Sequence, residues 1–169
     1  MIARIHVWQH EGETVENREL LNLSLNAETF ENSAVVVTVD LLHPWKLASA
    51  VQQFLYIIEQ HIESLKIPYE RLEEAKKRQA KRWNEYVEPS PQSASSRKAL
   101  AADDPNTYIL PTGVLTNNLG IPIIIAVCKS DAAEQLEKDF GYKDGHFDYI
   151  QQHLRRICIR CTFTPITFH

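Results

Sequence analysis

The chain has 169 residues, 44% hydrophobic and 24% charged, with a formal net charge of −4, enough for one domain with a hydrophobic core. That balance gives no global attraction to nucleic acid or to an anionic membrane. The longest apolar runs, Ala34 to Val39 and Ile121 to Cys128, fall far short of the roughly 20 residues that span a bilayer. The first residues lack the apolar stretch of a signal peptide and three cysteines cannot all pair within one chain, so the expectation is a reducing, cytosolic protein with no nucleic-acid partner and no membrane span.

In chain order, Ile2 to Trp8 alternates imperfectly between apolar and polar and predicts a short strand ending at the turn Gln9-His10-Glu11-Gly12. Between Arg18 and Phe30, Leu20, Leu21, Leu23 and Leu25 hint at a second extended piece. Ser33 to Asp40 is a β-branched run without a polar face, the pattern of a strand covered on both sides. Pro44 suits a first helical turn, and Leu47, Val51, Phe54, Ile58, Ile62 and Leu65 then recur at three- and four-residue steps, predicting an amphipathic helix of about six turns. Ile67-Pro68 should break it, because the residue before proline is pushed out of helical geometry. A second helix, rich in Glu, Lys and Arg, is predicted from about Glu70 to Val87.

From Glu88 to about Asn118, prolines, serines and aspartates dominate, and a flexible insertion is expected there. Ile121 to Cys128 is a second fully apolar run, with Pro122 tolerable only near the start of a strand. Phe147, Ile150, Leu154 and Ile157 mark a further helical face, and Cys158 to Phe163 looks extended. Strands alternating with helices imply parallel pairing through crossovers, hence an α/β sheet covered on both faces.

The most informative tetrapeptide is Cys128-Lys129-Ser130-Asp131, because it follows a buried strand and so sits at a strand's carboxyl end, where open α/β sheets bind ligands. It resembles the Asn/Thr-Lys-x-Asp motif of Ras-like GTPases, with Cys128 in the first place. The resemblance assigns Lys129 to pack along a nucleotide base and Asp131 to accept its hydrogen bonds. As residues alone, a solvated lysine and aspartate in a loop explain the tetrapeptide equally well.

Other segments resemble the dynein light intermediate chain family, and within it the cytoplasmic type. They are Asp40-Leu41-Leu42-His43-Pro44-Trp45, His61 to Pro68, Tyr86-Val87-Glu88-Pro89, Leu115 to Pro122 and His146 to Arg156, in the family's order and spread over roughly residues 4 to 158. The resemblance implies an incomplete Ras-like, mostly parallel sheet with flanking helices, filling residues 1–169 as a partial domain with its insertion at about 88–118. It further implies a non-catalytic subunit of the cytoplasmic, microtubule-associated dynein motor. Its partners would be the dynein heavy chain directly, microtubules indirectly, and cargo adaptors only through a C-terminal region that this sequence does not contain. The competing expectations are a small GTPase-like nucleotide-binding protein and a shortened isoform that competes with the full-length subunit.

Departures from the family's pattern bear on chemistry. No Gly-x-x-x-x-Gly-Lys-Ser/Thr occurs anywhere, so the phosphate cradle and its lysine are missing. Gln9 stands where a GTPase places a magnesium-linked aspartate, with Glu11 as the nearest carboxylate. The expectation is therefore no cofactor, with residual guanine or adenine nucleotide left to the full-length family, no catalytic residue and no metal. The strand carrying the phosphate loop would lie between the two strands assigned to Ile2–Trp8 and Ser33–Asp40, so a central strand is expected to be lacking. Cys161 to Pro165 does not match the family's continuation.

Three remaining features have bland explanations that outweigh sharper ones. Lys76, Lys77, Arg78, Lys81 and Arg82 read best as a solvated helix face balanced by Glu70, Glu73, Glu74 and Glu85. His153, Cys158, Cys161 and His169 make a weak zinc pattern, and Ser90-Pro91 a generic phosphorylation site. Trp45 and Trp83 are the aromatic candidates for an interface.

Overall fold

The structure is a computed structural model, and it describes residues 4–11, 19–85 and 110–161 and the backbone of 15–18 and 167–168. Its centre is a parallel sheet of strands β1 (Val35–Asp40), β2 (Ile123–Cys128) and β3 (Thr167–Phe168), in the order β1-β2-β3. β1 pairs β2 residue for residue from Val35↔Ile123 to Asp40↔Cys128. Helices α1 (Val15–Ser24), α2 (Pro44–Ser64), α3 (Tyr69–Glu85), α4 (Ala132–Phe140) and α5 (Asp144–Cys161) supply the rest. The expected α/β class and parallel pairing are therefore present, as an incomplete Ras-like arrangement.

The two β-branched runs form the paired central strands, as expected. Because side chains alternate along a strand, Val37, Val39, Ile123, Ile125 and Val127 point into the core and are buried. The alternate residues are not: Val36 is 55% exposed, and Ile124, Ala126 and Cys128 are only half-buried. Among the described residues the sheet is thus covered on one face, where two covered faces were expected. The core face packs against the predicted stripe of α2, whose Leu47, Val51, Ile58 and Ile62 are buried. α5 adds Leu154, Cys158 and Cys161 beside it.

Three local expectations need correcting, and one helix adds to them. Residues 4–11 contain no strand, and Ile5, Val7 and Trp8 lie exposed; strand geometry needs a ladder partner for its N–H and C=O groups, and none adjoins this segment. Most of the leucine-rich stretch expected to be extended lies in helix α1, with Leu21 half-buried on it and Leu25, just past its end and bonded to the Leu21 carbonyl at 2.8 Å, buried in the core. Of Cys158 to Phe163, also expected to be extended, Cys158 to Cys161 completes α5, because the buried face Leu154-Cys158-Cys161 continues at helical spacing, and 162–163 lie outside the described residues. Helix α4 has no counterpart in the sequence reading; it ends on Gly141 in the left-handed conformation, a common helix stop.

The predicted break at Ile67-Pro68 falls between α2 and α3. Most of the expected insertion, 88–109, lies outside the described residues, as do 86–87 at the end of the predicted second helix. The described remainder, 110–118, is a run of turns. Within it, the amides of Leu115 and Asn117 donate to the carbonyls of Ile159 and Arg160 at 2.8 Å each. These bonds satisfy carbonyls of the last turn of α5, which have no partner within the helix.

Candidate functional site

The carboxyl ends of β1 and β2 lie side by side because Asp40 and Cys128 are register partners. That adjacency puts Lys129, the next residue, across from Asp40, and its ammonium group forms an ion pair with Asp40 Oδ2. Asp40 Oδ1 accepts a 2.7 Å hydrogen bond from the amide of Leu42, closing the turn that leads to Pro44. The Lys129 hydrogen bond, helped by the Leu42 amide and the positive charge of Lys129, holds the Asp40 carboxyl below its ordinary range against the opposing effect of burial. Lys129 adopts φ +60°, a left-handed conformation uncommon for a residue with a Cβ.

Asp131 precedes α4 at its N-cap position, is exposed, and makes no side-chain cap bond. The two sequence-predicted site residues thus share one loop at the sheet's carboxyl end, but in different circumstances: Asp131 faces solvent, whereas Lys129 is committed to Asp40. Asp40 is the residue that sequence reasoning missed as part of this site. A signal existed, since Asp40 and Cys128 each close an apolar strand run, and two neighbouring parallel strands that end together bring their closing residues into contact.

The same end of the molecule carries aromatic side chains. Trp45 stands edge-on to His43 at 5.4 Å and tilted against Phe140 at 5.9 Å. Both Trp45 and Phe140 remain more than half exposed, at 56% and 60%, so their contact joins α2 and α4 without burying either ring. Trp83, the other aromatic candidate, is half-buried on α3. A shallow groove between α2 and α5 is lined by Gln52, Tyr56, Glu59, Ile157, Arg160 and Cys161.

The remaining constellations resolve into structural roles. On α3, Lys76 pairs with Glu73, Lys81 with Glu85, and Arg78 reaches Glu31, which fits a solvated, internally balanced face. Arg71 fastens α3 to the turn before β1, donating to Glu31 Oε1 at 2.7 Å and to the Ala27 carbonyl at 3.1 Å. Cys158 and Cys161 are core residues; burial pushes the Cys158 thiol up to about 12 and raises that of Cys161, so neither offers a thiolate. His153 stacks on Tyr149, and His169 lies outside the described residues. Among the described residues no three His, Cys, Asp or Glu side chains converge as metal ligands, and none of the helices is long and apolar enough to cross a membrane. Gln9 and Glu11 bond to each other at 3.3 Å in the irregular N-terminal segment.

Comparison with known proteins adds a family. A model of the dynein light intermediate chain family matches residues 1–166. Cytoplasmic dynein 1 light intermediate chain 1 of Rattus norvegicus is 36% identical over 164 residues, covering 94% of this chain and 31% of the relative. The Homo sapiens protein of the same name is 34% identical over the same shares, and that of Dictyostelium discoideum 34% identical over 94% of this chain and 39% of its own length. The chain thus spans between three and four tenths of these relatives. A crystal structure of the dynein light intermediate chain's conserved domain superposes with a TM-score of 0.64 over 90% of this chain and 47% of the other, at 19% identity; at that identity the likeness speaks for the fold alone.

Proposed function

This chain belongs to the dynein light intermediate chain family, and from that premise we propose that it serves as a non-catalytic subunit of the cytoplasmic dynein complex, docking on the heavy chain in microtubule-based transport. The observation that carries the reading is the match over 94% of the chain to relatives named as cytoplasmic dynein subunits. The state of the nucleotide end supports its non-catalytic half. The sequence holds no Gly-x-x-x-x-Gly-Lys-Ser/Thr phosphate loop, and the motif lysine, Lys129, forms an ion pair with Asp40. A phosphoryl-transfer site works by positioning and charge stabilisation of phosphates, and the missing phosphate-loop motif supports the non-catalytic reading.

For docking, the exposed pair Trp45 and Phe140 is the surface we select, because large aromatics held at low entropic cost dominate interface energetics. Cargo adaptors and microtubules would be reached only through other parts of the assembly, in the cytoplasm. The test is a pull-down of the purified chain against a dynein heavy-chain tail fragment, with the nucleotide content of the same sample measured after denaturation. Retention of heavy chain without stoichiometric nucleotide, weakened about tenfold or more by Trp45→Ala, is the expected result. Stoichiometric guanine nucleotide without heavy-chain binding would overturn the proposal in favour of a nucleotide-binding module.

A further inference from the structure

The furrow between α2 and α5 is flanked by two regular stripes. On α2, Trp45, Ser49, Gln52, Tyr56 and Glu59 follow one another at steps of three and four residues, which puts them on one side of the helix over about 21 Å. On α5, Tyr149, His153, Ile157 and Arg160 do the same. Gln52, Tyr56 and Glu59 line the furrow together with Ile157 and Arg160, and the buried Leu55 lines it too. Large rings stand on both helices: Tyr56 is 56% and Tyr149 68% exposed, and Tyr149 stacks on His153 at 6.1 Å. The walls are helices, so the furrow owes nothing to the β1 edge where a central strand is expected to be lacking.

The two walls differ in sign. Arg160 lines the furrow on α5, Arg156 stands one turn before it, and both are exposed; Glu59 lines it on α2. None of the three forms an ion pair with another described residue, whereas Lys76, Arg78 and Lys81 on α3 are matched by Glu73, Glu31 and Glu85. An occupant with carboxylates along one flank and a basic residue along the other satisfies both walls in one orientation only. Its backbone must also satisfy itself. The walls spend their N–H and C=O groups within their own helices, so an extended peptide laid here would leave its own groups without partners, while a helix brings its bonds with it.

We infer that the α2/α5 furrow seats an amphipathic helix of the dynein heavy chain, with its apolar stripe over Leu55, Tyr56 and Ile157, its carboxylates along Arg156 and Arg160, and a basic residue at Glu59. The inference rests on the docking proposed above and extends it. Trp45 heads the same α2 stripe, so the bound helix continues from the surface already selected for about four turns.

The experiment measures the Kd of the purified chain for the heavy-chain tail fragment, with circular dichroism to check that each variant folds. Arg160→Glu should weaken binding by about tenfold or more, which is about 1.4 kcal/mol, and so should Tyr56→Ala. Combining Glu59→Arg with Arg160→Glu restores the net charge yet should bind no better than Arg160→Glu alone, because each flank of the bound helix then meets its own sign. Benzoylphenylalanine placed at position 56 and crosslinked should mark residues of one acid-and-base-flanked helix in the heavy chain, read by mass spectrometry. Binding weakened by Trp45→Ala but kept in all the furrow variants would overturn this inference and leave the docking standing. Crosslinks into an extended segment would overturn it too, and an unaltered chain that does not bind the heavy chain would overturn both.

Discussion

Gly120 is the position at which a single added methyl group should be felt most. It precedes the buried run into β2 with φ +82°, a conformation that L side chains rarely adopt, and it is itself buried. A Cβ there would stand 3.1 Å from the ring of Phe30, 3.2 Å from the Cβ of Ala75 and 3.4 Å from Leu72. Phe30 is fully buried and Ala75 is 1% exposed on α3, so neither can swing aside. The amide of Gly120 donates to Asn118 Oδ1 and its carbonyl accepts from Gln79, so the backbone is held as well. Gly120→Ala should therefore cost about 1–2 kcal/mol for the left-handed conformation and about 1–3 kcal/mol for overpacking.

The matched control is Gly141→Ala, where φ is +66° but nothing lies within 4 Å of the added carbon, so only the conformational part applies. Urea unfolding followed by tryptophan fluorescence separates the two. With a slope of about 2 kcal/mol per molar, Gly120→Ala should lower the midpoint by about 1–2.5 M and Gly141→Ala by about 0.5–1 M. Equal shifts in the two variants would refute the claim that α3 and the Phe30 turn close tightly over this glycine.

Other outcomes follow from named contacts. Leu154→Ala, at a core position 1% exposed, should destabilise by about 2–5 kcal/mol, read from the same urea curves. Lys129→Met should let the Asp40 carboxyl rise toward its ordinary value, visible as a shifted titration by carbon-detected NMR. Because the folded-state value is depressed below 3.8, the stability Asp40 lends is present above that pH and lost as pH falls through the lower folded value, so the variant should lose the part of the acid-induced decline that lies below about pH 4. With Cys158 raised to about 12 by burial and Cys161 raised too, a thiol reagent at mildly alkaline pH should modify half-buried Cys128 first in the native chain, and all three cysteines only in denaturant. The raised cysteines also predict stability lost as pH climbs from about 9 toward about 12, checked by thermal melts across that range.

Much of the fold is legible because the local signals agree with their surroundings. Val35 to Val39 and Ile123 to Val127 are β-branched and apolar throughout, and nothing but a strand suits them. Pro44 followed by apolar residues at helical steps leaves α2 little alternative. The reading fails where a segment's state depends on what lies beside it. Four leucines between residues 20 and 25 fit an extended piece or a helix by letter alone, and the packing of Leu25 with α2, through the 2.7 Å bond from the His61 ring to the Leu25 carbonyl, favours the helix. The alternation in Ile2–Trp8 is strand-like, yet alternation supplies no partner.

The sequence by itself determined the α/β class, the two central strands, the long helix and the family, since each rests on contiguous residues whose order is preserved wherever the chain goes. Only the tertiary structure decided the site. The register that sets Asp40 against Cys128 is a relation between residues 88 positions apart, and it gives Lys129 a carboxylate partner that its place in the sequence does not announce. Likewise, apolar letters on both faces of β1 and β2 announce two coverings. Only packed helices show that, among the described residues, one face is covered and Val36 on the other is not, because burial belongs to neighbours in space rather than in sequence.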